Sequence, residues 1–495
     1  MYRIKLVLLS ILCFIGITGF SQKRYYVSTL AGDTTNLATS PFLNANAGYK
    51  DGVASQALFN GPTGIAVDTA GNVYVADTYN NVIRKVNVLF NTVTTIAGDT
   101  TDIKKGLDSN IGYMNGSALS AKFSNPIGIC VDKDGNVYVA DTYNNVIRKI
   151  TTSGVVSTYA GKQDSSGIVT YFGYVDGPDS TAEFFAPTSL SIDASGNIYV
   201  ADEGNNVIRK IWAIGDSVST IAGRGHDTAG YINGAIDTAL FTTVFGVTYD
   251  KKGAVYVSQF GDGANAIRRI YNDTVTTYVG YDTAGFDTNV LAPPYTIPIG
   301  YQNGKDTDSR GDTSIVGILF NGPAGISFDT AGNLLIADEY NNVIRLYNTK
   351  DSIASTFAGN HSNDTVSFHN GWDTLAVIYN PMGVVADKVG NVYVSDLGNN
   401  LIRKIKLQSI TAVPQVKKQK YTLHAYPNPC SDRLNIVSNY NGKADLLDVT
   451  SRVIWTNDNF KSPYILNTSD VAPGVYFLRI TSANQTLIQK VEVIK

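Results

Sequence analysis

The chain has 495 residues, of which only 16% are charged, a formal net charge of −3, and abundant glycine (46) and tyrosine (30). That balance removes the electrostatic case for nucleic acid or an anionic membrane surface as partner. Three cysteines, one of them Cys13 near the N-terminus, are too few for a disulfide framework.

Residues 1–21 read as a secretory signal. Arg3 and Lys5 precede a largely apolar run over 6–20, and Gly19 and Ser21 put small residues at the −3 and −1 places, so cleavage is expected before Gln22. The run is shorter than a confident membrane span requires. Apolar sequence continues past Cys13, which sets aside a lipoprotein reading. No later stretch is apolar enough to cross a membrane, so the mature chain is expected outside the cell, by way of the periplasm.

From Gly61 the chain reads GPTGIAVDTAGNVYVADTYNNVIRKV and closes on VTTIAG at 93–98. Five further copies are led by Asn125-Pro126, Ala186-Pro187, Val244-Phe245, Gly322-Pro323 and Asn380-Pro381. Each holds four β signals split by turn residues. In the first copy these fall at 64–68, 73–77, 82–86 and 93–98. Gly71 and its counterparts occupy a tight first turn that calls for positive φ. Apolar residues on both faces of the second strand (Val73 and Val75 against Tyr74 and Ala76) suit a blade covered on both sides, and the 3.6-residue period of a helical solenoid is absent.

Tyr25 to Gly32 has the strand-four pattern with no strands one to three before it. The sixth copy shows the opposite defect and stops after 401–405. The N-terminal strand is therefore predicted to complete the last blade and close a six-bladed ring, which leaves no open edge.

Recurrence decides how the polar residues read. Asp68, Asp132, Asp193, Asp250, Asp329 and Asp387 follow first strands, and Asp77, Asp141, Asp202, Asp338 and Asp396 end second strands. A carboxylate needed once for chemistry would not recur in every blade, whereas one that caps a turn or links blades would. Arg84, Arg148, Arg209, Arg268, Arg345 and Arg403 are read as packed guanidiniums paired with the strand-two carboxylates, with Gln259 the exception in the fourth copy. Aromatic-x-[Asp/Asn]-Gly recurs before each strand one, led by Tyr49, Tyr113, Tyr174, Tyr231, Tyr301 and Phe368. Six aromatics could suggest a carbohydrate platform, but the recurrence favours a structural anchor.

Propeller connectivity brings the four-to-one links and the two-to-three turns to one face. The links carry nearly all the length variation, and the largest insert, 281–313, holds Phe286, Pro293, Pro294, Tyr295 and several aspartates. Rigid repeats with variable loops on one face mark a binding surface. The two-to-three turns differ most informatively, and the candidate binding residues are Tyr79, Tyr143, Glu203, Phe260, Asp262, Glu339 and Tyr340, ringing one channel mouth. Tyrosines beside acids suit stacking on sugars with hydrogen bonds to their hydroxyls, or a polar-aromatic protein interface. The four histidines show no metal-ligand spacing, and no G-x-S-x-G, P-loop or H-E-x-x-H occurs. Carboxylates converging from different blades keep glycoside or uronate chemistry open, and calcium near the channel likewise; no cofactor is called for.

The elements P-x-G-[IV]-x-x-D, G-N-[VIL]-Y-V-[AS]-D and N-N-[VLI]-I-R-K recur nearly whole in five copies. Through them the chain resembles the NHL family of β-propellers from about residue 25 to 405. That resemblance implies the fold and little about function, since propellers of similar build include lyases and hydrolases.

After Ile405 the repeat ends, and 407–420 reads as an exposed linker. Strands are predicted at 433–437, 444–448, 453–456, 474–480 and 486–494. Tyr426-Pro427-Asn428-Pro429, the G-x-Y-x-L-x-I run at 474–480 and the closing 489–495 together resemble the type A C-terminal sorting domain of the Bacteroidetes type IX secretion system. The resemblance implies the secretion machinery as partner through 421–495, passage across the outer membrane, and removal of this domain with release or attachment to surface glycolipid. Many members carry a further basic residue where this chain ends Ile494-Lys495.

The expected molecule is all-β: a signal peptide at 1–21, a six-bladed propeller at 22–406 closed by its N-terminal strand, a linker at 407–420, and a small immunoglobulin-like β-sandwich at 421–495. Its expected role is non-covalent binding of a glycan, peptide or protein through the variable-loop face. The alternative is an extracellular lyase or hydrolase with convergent acids at the channel mouth.

Overall fold

The computed structural model describes residues 22–35, 46–101, 103, 110–163, 171–225, 228–261, 265–280, 300–305, 318–361, 368–410, 422–439, 441–482 and 485–495. The expected signal segment, most of the linker and most of the 281–313 insert lie outside them. The chain divides into two compact units, the propeller and the C-terminal domain.

The propeller consists of six antiparallel sheets. In the first blade the strands run Pro62–Val67, Val73–Asp77, Val82–Asn87 and Thr92–Ala97 from the channel outward. The four-stranded expectation needs one correction. A two-residue fifth strand, Gly52–Val53 in the first blade, pairs outside strand four, with Gly52 opposite Val93. It starts at the glycine of each aromatic-x-[Asp/Asn]-Gly motif and is too short to leave a period-2 signal.

Closure follows the expected route. Gln22–Ala31 lies between Leu401–Ile410 and the fifth strand Gly371–Trp372, with Val27 opposite Gly371. Asp373 holds it there, accepting from Arg24 Nε at 2.6 Å and from the Tyr25 backbone N–H at 2.7 Å. The last propeller strand continues to Ile410, several residues into the segment read as linker.

Every residue of every second strand is buried. Six apolar clusters fill the six spaces between adjacent blades. The one that joins the last blade to the first contains Ala31, Phe59, Ile65, Val75, Tyr393 and Ile402. Burying such side chains stabilises by about 1.5–3 kcal/mol each before chain entropy is counted, so the closing interface is apolar like the other five.

In the C-terminal domain a three-stranded sheet (Leu423–Tyr426, Arg433–Ser438, Tyr464–Asn467) faces a four-stranded one in the order Val453–Phe460, Gly442–Leu447, Gly474–Ser482, Gln485–Val493. The two share a core of Leu434, Ile436, Leu446, Leu478, Ile480 and Val491. Two of these strands, Leu423–Tyr426 and Tyr464–Asn467, are four residues long, too short to leave a readable period-2 pattern. Cys130 and Cys430 are both free and buried.

Candidate functional site

The recurrent polar residues come first, because they define what is framework. Arg84 donates to Asp77 at 2.6 Å, to the Leu58 and Lys50 carbonyls and to Asp51, and its guanidinium lies 4.9 Å from both the Tyr49 and Phe59 ring centres. Arg148, between Tyr113 and Phe123, and Arg209, between Tyr174 and Phe184, repeat the arrangement with Asp141 and Asp202. The expected pairing is therefore present, and the aromatic motif is its other half: the tyrosine stacks on the guanidinium and the Asp or Asn accepts from it. This places Tyr49 and its counterparts in the framework, not on a sugar platform. Burial pushes the Asp202 and Asp338 carboxyls up to about 6, against the opposing pull of Arg209 and Arg345.

Blade four deviates. Gln259 accepts from Arg268 at 3.1 Å, but its Nε2 is buried without a hydrogen-bond partner among the described residues. At the opposite end of the blades, Asp68 caps its turn by accepting from the Ala70 and Asn72 backbone, the Asn72 side chain and the Tyr74 hydroxyl.

The channel is narrow. Its lining includes Gly64, Gly128, Gly246, Gly325 and Gly383, with Ser189 in the third blade, and its cavity is about 70 Å³. A Cβ at Gly325 would stand 2.5 Å from the Met382 carbonyl, so the glycines are what lets neighbouring inner strands approach. No titratable side chain is among the lining residues, and among the described residues no group of three or more His, Cys, Asp or Glu is placed to hold a metal ion.

The sequence candidates lie at the mouth where inner strands begin and second strands end. Each second strand there enters a turn, a single 3-10 turn in five of the blades (Thr78–Asn80 in the first). Tyr79, Tyr143 and Tyr340 are 59%, 68% and 52% exposed. The rings of Tyr79 and Tyr340 nevertheless pack against a glycine of the lead into strand one, Gly61 and Gly322. In the third and sixth blades the pair is exchanged: the turn supplies Gly204 and Gly398, and the lead supplies the ring, Phe185 and Tyr379. In the fourth, Phe260 and Phe245 meet with ring centres 5.7 Å apart. Every blade thus delivers an aromatic ring to this mouth from one of two loops.

Of the sequence candidates, Tyr79, Tyr143, Glu203, Phe260, Glu339 and Tyr340 stand in these turns, and Asp262 lies outside the described residues. Phe185, Phe245 and Tyr379 were missed. Gly204 and Gly398, the small residues opposite Phe185 and Tyr379, were the available signal. Glu203 and Glu339 are partly buried. Burial raises both carboxyls, and that of Glu339 is pushed up to about 7 despite a hydrogen bond with the Asn380 side chain.

Comparison with known proteins separates the two units. Residues 424–495 match the secretion system C-terminal sorting domain, 59–85 the NHL repeat, and 96–171 the teneurin NHL domain. The chain thus carries NHL-repeat and type IX sorting domains. The sorting domain marks it for secretion to the cell surface or extracellular space, and no helix of the described residues is long and apolar enough to cross a membrane.

NHL repeat-containing protein 2 of Gallus gallus is 25% identical over 337 residues, which cover 63% of this chain and 42% of that protein. The chain spans less than half the length of the curated relatives it matches. Among solved structures, a protein of unknown function from Bacteroides thetaiotaomicron has a TM-score of 0.52 at 17% identity, covering 78% of this chain and 77% of that one. An auxiliary nutrient binding protein from the same organism has a TM-score of 0.52 at 14% identity, covering 78% of each. At such identities the likeness concerns the fold alone.

Proposed function

We propose that the propeller is a non-catalytic binding module, displayed or released outside the cell, that holds a glycan, peptide or protein against the aromatic mouth. The observation that carries this reading is the exchange of ring and glycine between two loops. The chain keeps an aromatic at the mouth of each blade while changing which loop supplies it. Rings packed against glycine lose little conformational freedom when a ligand stacks on them, which favours affinity on a rigid platform. A protein of the same fold bears the name auxiliary nutrient binding protein, in keeping with this reading. The secretion machinery would be a second partner, through residues 421–495.

One observation favours the alternative of a lyase or hydrolase: a Glu339 carboxyl held near neutrality suits proton transfer. Against it stand the narrow channel and its lining without titratable groups, because an enzyme of this kind would gather its acids in a deep pocket.

The test is an array of glycans, peptides and cell-envelope proteins probed with residues 22–495, with calcium and again with chelator. Binding without turnover of the captured ligand is expected. Release of products from a captured ligand would move the assignment to the enzyme.

A further inference from the structure

The mouth's charge and its aromatic rings together say more about the ligand. Among the described residues of the six turns and six leads there is no Lys or Arg, while two carboxylates, Glu203 and Glu339, are present. Neither makes an ion pair among the described residues. Glu339 adjoins Tyr340, close enough for its charge to be the main influence on the phenol. Glu203 precedes Gly204, against which the half-buried Phe185 ring packs, with the Phe172 ring 5.3 Å from it, centre to centre.

The protein itself shows what such a pairing holds. Five of its buried guanidiniums lie against two aromatic rings, and five of the six end on a strand-two carboxylate; Arg345, for example, lies between Tyr301 and Phe320 and meets Asp338 at 2.9 Å. At the mouth a ring and a carboxylate again stand together, with no Lys or Arg among the described residues of the turns and leads. A guanidinium is flat, weakly hydrated and permanently charged, so it can stack on an exposed ring while its edge donates to an adjacent carboxylate.

We infer that the mouth receives arginine side chains of an extended peptide segment, with Tyr340 and Phe185 as stacking faces and Glu339 and Glu203 as counter-charges. This rests on the mouth being a binding face, and the experiment separates the two claims. Fluorescence polarisation on residues 22–495 would compare a labelled Gly-Ser peptide bearing two arginines with the same peptide bearing citrulline, which keeps the shape and removes the charge. The arginine peptide is expected to bind at least tenfold more tightly than the citrulline peptide. Combining Glu203→Gln with Glu339→Gln is expected to remove at least tenfold of that affinity without lowering the melting temperature. Equal binding of the two peptides, no binding of either, or an arginine peptide indifferent to the double variant would overturn the inference. Should a neutral array ligand instead bind and be lost on Tyr340→Ala, the binding face would stand and the arginine specificity would fall.

Discussion

Asn400 and Gly61, at opposite ends of the propeller sequence, are joined by a 2.7 Å hydrogen bond from the Gly61 backbone N–H to Asn400 Oδ1. The same bond links the other neighbours: Asn125 to Asn81, Ala186 to Asn145, Thr243 to Asn206, Gly322 to Asn265 and Asn380 to Asn342. The asparagine just before strand three, the second of an N-N pair in five blades and Asn265 after Ala264 in the fourth, is therefore a blade-to-blade acceptor, and Asn400 carries it across the point of closure. Because Gly61 is buried, its N–H would be left unpaired in Asn400→Ala, a loss of about 1–3 kcal/mol. Alanine would also strain the φ of 54°. Asn400→Gly relieves the strain alone and is expected to fall between wild type and Ala in chemical denaturation. An unchanged midpoint for Asn400→Ala would contradict closure through this bond.

Asp141→Ala leaves Arg148 buried with no carboxylate, a change that typically costs about 3–5 kcal/mol. A large drop in melting temperature is expected, smaller for Asp141→Asn, which keeps an acceptor beside the guanidinium. Equal melting of wild type and Asp141→Ala would refute a structural role for the pair.

Gly322→Ala places a Cβ 2.6 Å from the Tyr340 ring, at a φ of 67°. Gly332→Ala, at a φ of 83° with open space around it, is the matched control. Both are expected to lose about 1–2 kcal/mol to backbone strain. Only Gly322→Ala should change near-ultraviolet circular dichroism and ligand affinity, since only it displaces a mouth ring. Identical spectra for the two would show that the glycine does not seat the tyrosine.

How much of this was legible follows from the range of each interaction. Blade number, closure by residues 22–31 and the Arg–Asp pair recur along the chain and could be read from it. The Asn400–Gly61 bond is between blades, and local sequence around Asn400 suggests only a turn. Phe185 and Tyr379 are hidden from the sequence because each ring packs on a glycine of a different loop, Gly204 and Gly398, and that contact leaves no local pattern. The mouth of blade four stays hardest to read, since Gln259 breaks the repeat there and Asp262 falls outside the described residues.

Glu339 gives a pH dependence with a definite sign. Burial raises its carboxyl in the folded protein to about 7 from an ordinary 4.5, so the folded state disfavours the ion. The resulting destabilisation is absent below about pH 4.5, grows as pH rises, and levels off above about 7. Glu339→Gln removes it. The stability gained over wild type should be near zero at pH 4 and reach the order of 1–2 kcal/mol at pH 8, allowing for solvent screening of a partly exposed group. A difference independent of pH would mean the carboxyl titrates normally.

The central claim is that the ring of mouth aromatics is the binding face, and the most direct measurement is the affinity of the strongest array ligand for wild type and for the triple variant Tyr79→Ala, Tyr143→Ala, Tyr340→Ala. These side chains are more than half exposed, so the melting temperature should hold. Base values of roughly 1 kcal/mol or more for each lost stacking contact lead to an expected loss of at least a hundredfold in affinity. An affinity within twofold of wild type, with the fold intact, would place the ligand elsewhere and contradict the account.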